Sequence, residues 1–222
     1  MAQIKLVVFD LDGTLLNSVP DLAVATDLAM KAMGRTGVTQ TQVAHWIGNG
    51  ADILMARALS QSLEPGHDIT HELIEQAHTL FDQYYSQGGH LQSHLYPNVT
   101  ETLELLKSQG ISLALLTNKP SQFVPDILKH HGIYHYFDAI IGGDTYPKKK
   151  PDPYALLLLA EQHQIDMQNM LMVGDSKNDI QAAKNAGCLS LGLTYGYNHG
   201  EPISLSEPDY IADNLNWFFC HS

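Results

Sequence analysis

Five short apolar runs, each set apart from the next by helical patterning, constrain this chain of 222 residues more than any other feature. They cover residues 4–9, 111–116, 138–141, 170–173 and 189–193. Each is rich in β-branched or large side chains and apolar on both faces, which is the pattern of a buried parallel strand. Between them, Val99, Leu103 and Leu106 fall at i, i+4 and i+7, with Asn98 and Glu101 placed as a helix-start pair. Pro120 suits the first turn of the next helix, which carries Val124, Ile127 and Leu128. Asp152-Pro153 opens a third over 155–159, and residues 179–186 form a fourth that Gly187 stops. Strand alternating with helix implies an α/β fold, a parallel sheet covered on both faces.

One stretch breaks the alternation. Residues 18–87 hold no convincing strand, only helical stripes. Leu22, Ala25, Ala29 and Met33 form the first, and Thr39 with Gln42 looks like a capping box before 43–47. Helical residues 53–58 follow Gly48-Asn49-Gly50, and Leu73, Ala77, Leu80, Phe81, Tyr84 and Tyr85 make a longer stripe. The predicted division is therefore a core of 1–16 and 93–222, with an all-helical insert of 17–92 after the first strand.

In open parallel sheets ligands bind at the carboxyl ends of the strands. The first run is followed by Asp10-Leu11-Asp12-Gly13-Thr14, the second by Thr117-Asn118-Lys119. The third leads to Gly142-Gly143-Asp144 and then Lys148-Lys149-Lys150-Pro151, the fourth to Gly174-Asp175-Ser176-Lys177-Asn178-Asp179. Carboxylates, a hydroxyl and a lysine thus reach one edge. Asp10 and Asp12 point to the same side of an extended backbone. Two like charges about 4 Å apart cost roughly 4 kcal/mol at an effective dielectric of 20. A divalent cation removes that cost, and oxygen ligands without a His or Cys cluster suit Mg²⁺. A carboxylate-held metal beside a lysine and a hydroxyl is equipped for phosphate chemistry.

Composition narrows the partners. Twelve Lys plus Arg against 24 Asp plus Glu leave a net charge of −12, the wrong balance for tracking nucleic-acid phosphates. No apolar run approaches the roughly 18 residues of a membrane span. Two cysteines, Cys188 and Cys220, form neither a disulfide framework nor a metal pair. The opening apolar run is too short for a signal peptide, so a cytoplasmic protein is expected, a monomer or small homo-oligomer whose partner is a small-molecule phosphate. The twelve histidines are scattered without ligand spacing, and Trp46, Trp217 and Phe218-Phe219 read as packing residues.

Taken as a set, Phe9-Asp10-Leu11-Asp12-Gly13-Thr14-Leu15, Thr117-Asn118, Lys150-Pro151 and Gly174-Asp175-Ser176-Lys177-Asn178-Asp179 resemble the four ordered motifs of the haloacid dehalogenase-like hydrolases. The resemblance spans essentially the whole chain and implies a Rossmann-like core, with the insert as a helical cap. It implies Asp10 as the nucleophile that forms an aspartyl-phosphate, and Asp12 as the acid and then base. Thr117 and Lys150 would hold the phosphoryl oxygens, with Asn118 beside them. Mg²⁺ would be held by Asp10, the Asp12 main-chain carbonyl and Asp175, with Asp179 in or near that set, fixing a bound water or Lys150. Residues 46–51, 117–120, 141–144, 182–188 and 192–198 further resemble the bacterial phosphoglycolate phosphatases, which implies 2-phosphoglycolate as substrate. A second anion site would then lie in the insert, where Gly48, Asn49 and Gly50 could present main-chain N–H groups, with Arg57 as a possible cation. The rivals are a phosphatase for another small phosphate, a β-phosphoglucomutase-like phosphotransferase and a non-catalytic protein of the same fold. A dehalogenase is disfavoured because its chemistry needs neither an acid at Asp12 nor a metal, and no P-loop pattern occurs.

Overall fold

The computed structural model describes residues 4–221, apart from the side chains of 217, 220 and 221. The strands are β1 Leu6–Phe9, β2 Leu16–Asn17, β3 His94–Leu95, β4 Ser112–Leu116, β5 Ala139–Ile141, β6 Met170–Gly174, β7 Leu189–Leu193 and β8 Tyr210–Ala212. The helices are α1 Val19–Ala32, α2 Gln40–Trp46, α3 Ala51–Ser60, α4 His71–Gly88, α5 Val99–Ser108, α6 Val124–His130, α7 Tyr154–His163, α8 Lys177–Ala186 and α9 Leu215–His221.

Six strands form one parallel sheet in the order β5-β4-β1-β6-β7-β8. Its central strand β1 is wholly buried, with Phe9 level with Leu115 and Val173 on its neighbours. Alternate residues serve two cores. Val7, Phe9, Leu113, Leu115, Leu171 and Val173 face one, with Leu103, Ile127 and Leu215 of the covering helices. Leu6, Val8, Ala114, Leu116, Met170 and Met172 face the other, under Leu156 of α7 and Ala182 of α8. This two-sided burial is why the strands read as continuous apolar runs. The chain runs outward from β1 through β4 to β5 and then returns to β6 on the other side. The crevice at the carboxyl end of β1 is therefore a topological switch point, where ligands of open α/β sheets bind.

Helices α1–α4 occupy residues 19–88 without a strand among them. The Thr39–Gln42 capping box forms as expected. Ala77, Phe81 and Tyr85 make the buried stripe of α4, which packs on α1 and α3. The segment leaves and returns through the antiparallel pair β2 and β3. Both Asp21 carboxylate oxygens accept from the returning chain, from the Gln92 and Ser93 N–H groups and the Ser93 hydroxyl. Among the described residues no helix is long and apolar enough to cross a membrane.

Several local expectations are corrected. Asn98 does not cap α5 with its side chain; it sits in the left-handed region at φ 63°, bent by the turn that closes Val99 N–H onto Tyr96 C=O. Pro120 does not start a helix. Residues after Thr117 form a turn, and α6 begins at Val124 with Pro125 in its first turn. The sheet gains β8, a three-residue edge strand with Ile211 half exposed, too short and one-sided to show as a buried run. Phe219 approaches Phe9, with ring centroids 6.4 Å apart, so α9 docks on the core as expected. Cys188 is a buried free thiol. The packing expected of Trp217, and anything concerning Cys220, lies outside the described side chains.

Candidate active site

Asp10 leaves the end of β1 with its N–H bonded to Val173 C=O, 3.0 Å away. The chain then tightens into a loop in which Leu15 and Leu16 both donate to Leu11 C=O. Gly13 lies at φ +90°, and a Cβ there would stand 2.2 Å from an Asp175 oxygen. A glycine is needed on both counts, the left-handed backbone and the approach of a second strand end. Gly196 does the same from the other side, since its Cβ would fall 2.1 Å from that of Asp175.

The lysine after β5 reaches the centre. Lys150 is 3% exposed. Its ammonium meets Leu116 C=O at 2.7 Å, Asp179 Oδ1 at 2.6 Å and Asp10 Oδ1 at 2.9 Å. The contact with Asp10 is a close, buried ion pair. Burial pulls the lysine's affinity for its proton down, but Asp10 and Asp179 more than offset that, so it stays charged. Asp179 is fully committed: its other oxygen takes the Ser176 N–H at 3.0 Å and the Ser176 hydroxyl at 2.7 Å, closing the start of α8. Asp175 accepts from Thr14 Oγ1 at 2.7 Å and from Tyr197 N–H at 2.8 Å.

Asp10, Asp175 and Asp179 bring oxygen atoms within 4.8 Å of one another, all buried. Burial is the main force on Asp10. With the charges of Asp179 and Asp12 it overcomes the pull of Lys150 and raises the group to about 7. Asp175 is likewise held well above the usual carboxylate range by burial, then by Asp179 and Asp10. A donor set of crowded buried carboxylates, with Asp10 and Asp175 held above the usual carboxylate range by burial and neighbouring charge, fits a hard divalent cation. The Asp12 side chain is not in this group. It turns to Lys119, whose ammonium lies 3.1 and 3.3 Å from its two oxygens.

Between the sheet edge and helices α1–α4 is a cavity of about 40 Å³. Asp10, Asp12 and Thr117 line it from the core, Gly48 and Gly50 from the helical segment, with Asn118 and Lys119 at the junction. The Gly48 carbonyl accepts from both Asn118 and Asn178, each at 3.0 Å, and Asn118 also donates to Lys150 C=O. Asn49 does not line the cavity; its side-chain oxygen accepts from Arg57 at 3.0 Å. Arg57 is spent locally, on Trp46 C=O, Leu63 C=O and Asn49, and is not a cavity wall.

A family model of haloacid dehalogenase-like hydrolases matches residues 7–193. The chain belongs to the haloacid dehalogenase-like hydrolases. It is 64% identical over 213 residues to a phosphoglycolate phosphatase of Vibrio vulnificus strain YJ016, covering 96% of this chain and 93% of that one. A phosphoglycolate phosphatase of Pseudomonas putida is 47% identical, covering 95% of this chain and 77% of the relative. Among solved structures, one described as a predicted phosphoglycolate phosphatase from Haemophilus somnus 129PT superposes with a TM-score of 0.92 at 43% identity, covering 99% of this chain and 98% of the other.

As in a hydrolase of this family, the four motifs converge on one strand edge. Lys119, Thr14, Tyr197 and Tyr85 join the site without a role that sequence pattern alone gives them. Lys119 was the legible one. It stands two residues beyond Thr117, whose hydroxyl accepts its N–H at 3.2 Å. Tyr85 lies in a helical stripe that looks like ordinary core, and Tyr197 acts through its backbone, which no side-chain pattern announces.

Proposed function

We propose that this hydrolase is a Mg²⁺-dependent phosphomonoesterase that converts 2-phosphoglycolate to glycolate and phosphate through an aspartyl-phosphate. The observation that carries the reading is the buried Asp10 beside Lys150, facing a small cavity that Asp12 and Thr117 also line. The identity to phosphoglycolate phosphatases over nearly the whole length supports the substrate. Residues 17–92 act as a cap over the core formed by 1–16 and 93–222, in the cytoplasm.

An Asp10 oxygen attacks phosphorus as the ester bond breaks, and the Asp12 carboxyl group passes a proton to the departing glycolate oxygen. Lys150 and Thr117 hold the phosphoryl oxygens, and Asn118 fixes the loop that carries Thr117. Asp12, now a carboxylate, takes a proton from water as the water oxygen bonds phosphorus and the Asp10 carboxylate leaves. Asp10, Asp175 and the Asp12 carbonyl would hold Mg²⁺, which when bound neutralises the phosphoryl charge. Asp179 serves that centre from behind, because both its oxygens already accept donors and one fixes Lys150.

The test is phosphate release from a panel of small phosphomonoesters, with Mg²⁺ and with chelator. The expected result is that 2-phosphoglycolate leads in kcat/KM by about 100-fold or more over neutral alkyl phosphates, and that chelator abolishes turnover. Another ester in first place would overturn the substrate. Turnover unaffected by chelator would overturn the metal.

Metal binding also has a pH signature. An ionised Asp10 is disfavoured in the folded metal-free protein. That cost is absent below the ordinary value of 3.8, grows as pH rises and is complete above about 7. Mg²⁺ needs the ionised form and removes the cost, so it stabilises the fold more at pH 8 than at pH 6. At 100 times Kd the gain is about 2.7 kcal/mol, a Tm rise of roughly 5–10 °C for a chain of this size. Thermal melts at the two pH values check this. Equal shifts, or a shift retained in Asp175→Asn, would count against the assignment.

A further inference from the structure

We propose that Lys119 selects the substrate by pairing its ammonium with the carboxylate of a compact carboxyalkyl phosphate, in the cavity between the sheet edge and helices α1–α4. The inference rests on the phosphomonoesterase reading and names the group that reads the organic half of the ester. Four observations carry it.

Lys119 is the one cation lining the cavity among the described residues. Lys150 is engaged by three oxygens behind Asp10, and Arg57 is engaged within the helical segment. A carboxylate entering the pocket needs a cationic partner, and Lys119 supplies a buried one, whereas Lys149, whose ammonium stands beside Gly50, is exposed.

The Lys119 ammonium donates to one carboxylate and interacts besides with Tyr85. Its side chain is 3% exposed and faces the Asp12 carboxylate at 3.1 and 3.3 Å. Against its other side lies the Tyr85 ring, centroid 4.7 Å away. An ammonium carries three hydrogens, and a ring face is a weaker partner than a carboxylate. A second carboxylate can therefore share the ammonium with Asp12.

The remaining wall is apolar, formed by Leu22, Leu54, Phe81 and Phe123. Its space of about 40 Å³, roughly three water-sized bodies, suits a short substituent beyond the ester oxygen.

Spacing is fixed as well. The Thr117 hydroxyl, which would hold the phosphoryl group, accepts the Lys119 backbone N–H at 3.2 Å. The phosphoryl pocket and the ammonium thus issue from one turn, and Asp12 and Tyr85 hold the ammonium where it stands.

The experiment compares 2-phosphoglycolate with 2-hydroxyethyl phosphate, a neutral ester of similar size, in the full chain with Mg²⁺. The readout is the ratio of their kcat/KM values in the wild type, Lys119→Met, Lys119→Gln and Lys119→Arg, with melting temperatures alongside. Lys119→Met and Lys119→Gln are expected to lower the ratio about 100-fold, chiefly through KM for 2-phosphoglycolate, whereas Lys119→Arg keeps it within about tenfold of wild type. If both rates fall together and the ratio stays within about threefold, Lys119 serves Asp12 alone and the proposal is wrong. If the wild type prefers a different carboxylated phosphate and the ratio taken with that ester still collapses, the substrate was misnamed and the role of Lys119 stands. A wild-type ratio near one overturns both.

Discussion

Asp10→Asn is expected to lose about 10⁴-fold or more in kcat/KM on every ester, because an amide oxygen neither attacks phosphorus nor forms the acyl phosphate. The same variant should not be destabilised without metal. Burial and the neighbouring carboxylates raise Asp10 to about 7 even with Lys150 beside it, so its ionised form costs the fold free energy at higher pH. A neutral isostere removes that cost above pH 7 and changes little below the ordinary carboxylate range. Lys150 keeps Asp179 and Leu116 C=O as partners. At pH 8 with chelator, the Tm of Asp10→Asn is expected at or above that of the wild type, while phosphate release and phosphoenzyme formation vanish. Loss of activity together with a markedly lower Tm would assign Asp10 a structural role. Residual turnover of a few per cent would place the nucleophile elsewhere.

Asp179→Ala should show the opposite balance, with stability and rate both falling. Asp179 is fully buried and its oxygens tie together Lys150, the Ser176 N–H and the Ser176 hydroxyl. Removing one partner of a buried ion pair costs about 3–5 kcal/mol, and losing the hydrogen bonds at a helix start adds about 1. For a chain of this length the expected fall in Tm is roughly 10 °C or more. Lys150 also loses the contact that holds it at the phosphoryl position, so kcat is expected to fall about 10²- to 10³-fold with Mg²⁺ in excess. Asp179→Asn, which keeps one acceptor oxygen, should lie between the two. A Tm within about 2 °C of wild type, measured calorimetrically, would refute the buried tie.

Three of the strands that carry the motifs, β1, β4 and β6, were legible because both their faces are buried, while the edge strand β5 is only partly so. Continuous apolar runs ending in Asp, Thr or Gly needed no tertiary information, and β7 lies where the run 189–193 placed it. The Thr39–Gln42 box formed because its bonds are local. Local signals failed where distant contacts act. Pro120 could have begun a helix, but the turn after Thr117 is pinned instead by Gly143 N–H donating to Lys119 C=O. Arg57 stood near the glycines in sequence, yet its hydrogen bonds turn it onto the backbone of its own segment.

By itself the sequence determined the α/β class, the strand-free helical stretch that α1–α4 fill and the family, because hydrophobic period and motif order are properties of the chain alone. It also placed Asp10, Asp12, Thr117, Lys150 and Asp175 in the segments that follow the buried runs, and Asp179 in the first turn of the helix after β6. Only the tertiary structure decided which charges meet. Lys150 lies between Asp10 and Asp179, Asp12 faces Lys119 rather than the other carboxylates, and Tyr85 comes from α4 to cover Lys119. The reason is range. Periodicity records whether a side chain is buried, whereas ion pairing over a few ångströms depends on how strands more than a hundred residues apart are ordered in the sheet.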